Sequence, residues 1–190
     1  MTNKQHLDEL RIAAAQKVRE KDYWLDKLSG EIVKCGFPID YQKDCINRNA
    51  WDRLNFRLNE ELSAKLLKLS AGSDFRLYII LTAGLMLLLH RYTGYNDIIL
   101  GSPILKPEVE SEFINTVLIL RNRIREDVNF REFLLQVKQT VVEAGEHCNY
   151  PIEVLMEHLD ISMGEDFSLF DVVVMLQNIM RENFDVLVPG

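Results

Sequence analysis

The feature that most narrows the fold is the stretch from Ser73 to Gly94, where apolar residues stand nearly all the way round a helical wheel. A helix that is apolar on every side has to lie inside a domain rather than on its surface. Ser73 or Asp74 caps it, it runs to about Tyr92, and Thr93-Gly94 ends it. Its longest apolar run, Leu77 to Leu89, is too short to cross a bilayer and is interrupted by Thr82. Strand-like and helix-like segments alternate around this centre. Trp51 to Leu58 sets Leu54, Phe56 and Leu58 on one face and Arg53, Asn55 and Arg57 on the other, the pattern of a half-buried strand. Asn59 caps a helix over Glu60 to Leu69. Asp97 to Gly101 (DIILG) reads as a buried strand, Phe113 to Ile124 as a second and Phe170 to Leu176 as a third. Between them Asn129 caps a helix from Phe130 to His147, with Phe130, Phe133, Leu134, Val137, Val141 and Ala144 on its core face. Pro151 opens a short helix ending at Leu159. The order predicts an α/β domain with a mixed sheet and packed helices.

Ahead of this region, Leu7, Leu10, Ala14, Val18, Leu25 and Leu28 fall at helical intervals, with Lys21 interrupting the stripe. One amphipathic helix is therefore expected within residues 1–30, with Trp24 as an anchor just off the stripe and Gly30 as the stop. Residues 31–50 lose periodicity and read as a linker or crossover, so the compact domain is expected over 51–190. The net charge of −7 argues against non-specific binding to nucleic acid or an anionic membrane surface. Cys35, Cys45 and Cys148 form no CxxC pair, so neither a disulfide framework nor a zinc site is indicated, and no other metal-ligand spacing occurs. The opening MTNKQHLDEL lacks the apolar core of a signal peptide, and the chain is expected in the cytoplasm.

Several phrases carry a resemblance. They are YWLDKLSG at 23–30 followed by FPID at 37–40, LLLHRYTGYNDIILGSPI at 87–104, FINTVLILR at 113–121, HCNYPIEVL at 147–155 and LFDVVVMLQN at 169–178. In this order they resemble the C-terminal half of a nonribosomal peptide synthetase condensation domain. FINTVLILR is similar to that family's Phe-Val-Asn-Thr…Arg motif, and HCNYPIEVL to its His-Gln-Asp-Tyr-Pro-Phe-Glu motif. The resemblance implies one lobe of a chloramphenicol-acetyltransferase-like pair, preceded by a helix. It also implies a reaction joining a carrier-bound thioester to a downstream amine, in a tunnel between the two lobes. No cofactor would be bound directly; phosphopantetheine would arrive on a partner carrier protein. The family hallmark, His-His-x-x-x-Asp-Gly, lies on the first lobe. This sequence holds only His6, His90, His147 and His158, none adjacent to another. The resemblance begins near the family's midpoint, so a tunnel is not expected to close from this chain alone.

The resemblance makes Asn115, Thr116, Arg121, His147, Asn149 and Tyr150 the candidates for the carrier-arm tunnel or the lobe interface. Each has a plainer reading. Asn115 and Thr116 also suit a strand end held by side-chain bonds to backbone. Arg121 suits a solvated charge, and His147 a histidine stabilising a helix C-terminus. His90 reads as a helix-end histidine, and Cys148 beside His147 as neighbours pointing apart. No catalytic residue is assigned. The expectation is a partial condensation domain with a structural or interaction role beside adenylation or peptidyl carrier domains. Two alternatives stay open: one half of a split condensation enzyme, and a stand-alone homodimeric interaction module.

Overall fold

A computed structural model describes residues 3–33, 35–38, 52–104, 117–159 and 169–177. The elements run α1 (Asn3–Ala15), α2 (Val18–Lys27), α3 (Glu60–Ser70), α4 (Asp74–Thr93), β1 (Asp97–Pro103), β2 (Val117–Arg123), α5 (Phe130–Glu146) and α6 (Ile152–His158). The capping chemistry is as the residues demand. Asn59, Ser73 and Asn129 each accept a backbone N–H with the side chain, and Asn129 forms a reciprocal capping box with Glu132. Gly94 closes α4 at φ 74, a left-handed conformation that glycine reaches without a Cβ penalty.

β1 and β2 pair antiparallel, Asp97 opposite Arg123 and Gly101 opposite Ile119. On its other edge β1 meets residues 172–174 in parallel. Gly101 N donates to Val172 O at 2.8 Å, and Val174 N donates to Gly101 O at 3.0 Å. The sheet is thus mixed, as expected, although the predicted strand at 170–176 is reduced to a single bridge. Its alternation survives: Phe170, Val172, Val174 and Leu176 pack on the core while Val173 and Met175 stay exposed.

α4 lies in the core through Tyr78, Ile79, Ala83, Met86 and Leu89, all buried. Its burial is one-sided, however, because Leu88 is exposed and Leu85 and Leu87 are only half-buried. Among the described residues it is one helix long and apolar enough to cross a membrane by length and composition, a property it shares with core helices of soluble folds. Two polar links tie the helices to the inner sheet face: Tyr78 OH donates to Ser102 Oγ at 2.6 Å, and Thr140 Oγ1 to Asn122 Oδ1 at 2.9 Å.

Three expectations fail for identifiable reasons. The single helix over residues 7–28 is two, broken at Lys17 (φ −110, ψ 55). Trp24 and Leu28 are buried, but Val18 is exposed, so one stripe could not have served both halves. Residues 52–59 form no strand, and Leu54 and Phe56 are 87% and 78% exposed. Alternation states which face a strand would bury, but a strand also needs a neighbour for its backbone groups; among the described residues this segment has none. Phe130, placed on the core face of α5, is exposed at the first turn; Phe133, Val137, Thr140, Val141 and Ala144 carry that face.

Gly101 supports a direct prediction. An added Cβ there would stand 2.5–2.8 Å from the Phe170 ring. Gly101→Ala should cost about 1–3 kcal/mol, read by urea denaturation, and Phe170→Leu in the same chain should recover part of it.

Candidate functional site

Strand parity builds the first part of the site. Asp97 and Arg123 are direct partners and Arg121 lies two residues along, so all three project from the same sheet face. The Arg121 guanidinium is 5% exposed. Its Nε and Nη2 donate to the Asp97 carboxylate at 2.7–3.2 Å. Nη1 donates to the Ser29 carbonyl at 2.8 Å and Nη2 to the Glu31 carbonyl at 2.8 Å, with a longer contact from Nη1 to the Lys27 carbonyl at 3.4 Å. Lys27 ends α2, so these bonds fasten the exit of that helix to the sheet. Asp97 also accepts from Arg123 Nε at 3.1 Å, and its backbone carbonyl accepts from the Cys35 thiol at 3.0 Å. The expected solvated charge at Arg121 is therefore corrected. The planar fork of arginine satisfies a carboxylate and several carbonyls together, which lets a cation sit inside.

Burial works against the Asp97 charge, but the Arg121 and Arg123 bonds and charges outweigh it and hold the carboxyl below its ordinary range. A carboxylate with a lowered folded pKa binds protons more weakly in the native state. Its stabilisation is complete above the unfolded value of about 4 and is lost as pH falls through the folded one. Acid denaturation followed by circular dichroism should show this limb, and Asp97→Asn should flatten it while lowering stability at neutral pH.

The second part joins α2 to the end of α5. Trp24 Nε1 donates to the His147 carbonyl at 2.7 Å, which satisfies a carbonyl at the helix end. Tyr23 stacks on the His147 ring, centroids 4.2 Å apart and planes at 14°. His147 is the C-cap of α5 and is buried. Its ring is therefore packed against Tyr23 at the helix terminus. Tyr150 is fully buried, and burial raises its phenol pKa. Burial, followed by the charges of Glu143 and Glu146, pushes the Tyr23 phenol far up as well. Within this region Tyr23 OH, His147 Nδ1 and Asn149 Oδ1 are buried without a hydrogen-bond partner among the described residues.

The structure thus brings His147, Asn149 and Tyr150 into one region and sets Arg121 in a separate clamp. Asn115 and Thr116 lie outside the described residues. Sequence reasoning missed Asp97 and Tyr23, although both stood inside the quoted phrases NDIILG and YWLDKLSG. Cys148 is buried and its thiol pKa is raised by desolvation, so it is no thiolate beside His147. His90 Nδ1 donates to the Tyr95 carbonyl at 2.8 Å, fitting its helix-end reading. Among the described residues no cluster of three or more metal-ligating side chains occurs.

Comparison with known proteins gives these elements a context. A family model described as the condensation domain matches residues 4–186. The chain is similar to bacitracin synthase 3 of Bacillus licheniformis, 36% identical over 178 residues, which is 88% of this chain and 3% of that protein. Its fold is similar to the X-domain from teicoplanin biosynthesis, with a TM-score of 0.67 at 21% identity, over 90% of this chain and 39% of that one. A four-domain nonribosomal peptide synthetase bound to AMP and glycine also matches, with a TM-score of 0.67 at 18% identity, over 81% and 12% of the two chains. The chain therefore spans a small fraction of its curated relative and about two fifths of the solved X-domain.

Proposed function

The chain belongs to the condensation-domain family and corresponds to part of such a domain in a nonribosomal peptide synthetase, and on that premise we propose that its role is structural. It packs beside an adenylation or peptidyl carrier domain of a cytoplasmic assembly line making a peptide natural product, and contributes no base to bond formation. The carrying observation is the setting of His147, the histidine in the phrase most like a family motif. Acid–base work on an attacking amine needs an imidazole within reach of that amine. Here the ring lies buried against Tyr23, and no second histidine adjoins it. A phosphopantetheine arm belongs to the carrier. Of the residues expected along its path, Arg121 is committed to Asp97 and backbone carbonyls.

The test is direct. The purified chain is incubated with an aminoacyl N-acetylcysteamine thioester donor and an aminoacyl thioester acceptor, and dipeptide is followed by mass spectrometry. No product above the uncatalysed rate is expected; product formation abolished by His147→Ala would overturn the reading.

One observation favours a second reading, half of a split condensation enzyme. Tyr23 OH, His147 Nδ1 and Asn149 Oδ1 lack partners among the described residues, and a buried unsatisfied polar group costs about 1–3 kcal/mol. A separate first lobe meeting this region would supply bonds after modest rearrangement. In that case the thioester assay turns positive only when a polypeptide carrying His-His-x-x-x-Asp-Gly is added.

A further inference from the structure

α3 turns Ser63, Leu66 and Ser70 inward and leaves Leu62, Leu67 and Leu69 in solvent. Beside Leu69 a cavity of about 460 Å³ opens between α3, α4 and α5. Leu69, Phe75, Ile79 and Leu135 give it apolar walls, and Arg76 and Lys138 also line it. Leu69 and Leu135 are themselves more than half exposed. Among the described residues no carboxylate lines the cavity and neither cation has an ion pair. In a chain of net charge −7 this is a locally basic, apolar concavity. A concave, mostly apolar surface with a few polar groups at its edge is the form binding sites take, and two unpaired cations select for negative charge in whatever fills it.

We infer that this groove receives a helix of a partner domain, with large apolar side chains entering the cavity and Asp or Glu on the flanks meeting Arg76 and Lys138. The inference rests on the reading that the chain works beside other synthetase domains, and it names the face that meets one. A helix is favoured over an extended segment because the walls are helices. They offer no free strand edge to pair with, only a trough for side chains at helical spacing.

The whole chain is titrated with a synthetic amphipathic helical peptide bearing Leu at helical intervals and Glu on both flanks. A counterpart carrying Lys in place of Glu is run beside it, and both are followed by fluorescence anisotropy and by methyl shifts of Ile79 and Leu135. The acidic peptide should bind about tenfold or more tighter than the lysine peptide. Arg76→Glu with Lys138→Glu should reverse that preference while leaving the melting temperature near that of the parent, since both residues are exposed. Equal binding of the two peptides, no binding, or shifts confined to other residues would overturn the assignment. So would equal shifts produced by decanoate, which would make the groove a site for small amphiphiles. The result is separable from the scaffold reading: an inert thioester assay with no peptide binding removes the groove alone, whereas a positive assay removes the scaffold role whatever the peptide does.

Discussion

Arg121→Ala should lower stability by about 3–5 kcal/mol, the cost of breaking a buried ion pair by removing one partner. The side chain is 5% exposed, and its loss leaves Asp97 under the sheet without its closest cation. It also strips the Ser29 and Glu31 carbonyls of their 2.8 Å donors. For a chain of this size the melting temperature should fall by roughly 10 °C. Arg121→Lys should recover only part of this, because an ammonium keeps the charge but cannot hold a carboxylate and carbonyls with one planar fork. The double variant Arg121→Ala, Asp97→Ala should cost less than the sum of the single changes, because it also removes the carboxylate that the single change leaves to Arg123 alone. Strict additivity in that cycle would show that the two groups do not depend on each other.

Trp24→Ala should be comparably severe, about 3–5 kcal/mol, through the cavity left by a buried indole. Trp24 is buried in the core cluster and bonded to the His147 carbonyl at 2.7 Å. Trp24→Phe separates the two contributions. It keeps most of the apolar volume but leaves that carbonyl without its donor, at about 1–3 kcal/mol. Urea midpoints of the two variants measure the difference. If alanine proved as mild as phenylalanine, α2 would not be anchored through this indole. Hydrogen exchange should agree: in Trp24→Ala the amides of α2 should lose protection more than those of β1, because the link between α2 and the end of α5 is what has been cut.

Helix ends were the most legible part of this sequence. Asn59, Ser73, Gly94 and Asn129 bound their helices as the residues imply, because capping is settled by one or two side chains and their immediate backbone. Strand parity was legible too. It gave the buried run at β1, whereas the face shared by Asp97 and Arg121 follows only from the register seen in the structure. What periodicity could not supply was the presence of a neighbour. Leu54, Phe56 and Leu58 alternate as a strand would, yet pairing is a long-range event with no local signature.

The candidate site divides in the same way. The quoted phrases marked His147, Asn149 and Tyr150, which lie between α5 and α6 as their closeness in sequence requires. The role of Arg121 was hidden, because its partners are a carboxylate 24 residues away and carbonyls 90 and 92 residues away. Backbone carbonyls carry no residue identity, so a buried clamp and a solvated charge look alike in one dimension. The stacking of Tyr23 on His147 was hidden for a similar reason: 124 residues separate them (147 less 23).

The most direct test of the scaffold role is the intact mass of the native polypeptide from its source cells, with peptide mapping of whatever adjoins this sequence. A lobe that serves as a packing element of a synthetase should be found in a chain well above 22.1 kDa, with adenylation or carrier peptides contiguous with it. A free polypeptide of 22.1 kDa with no such neighbour would contradict that role.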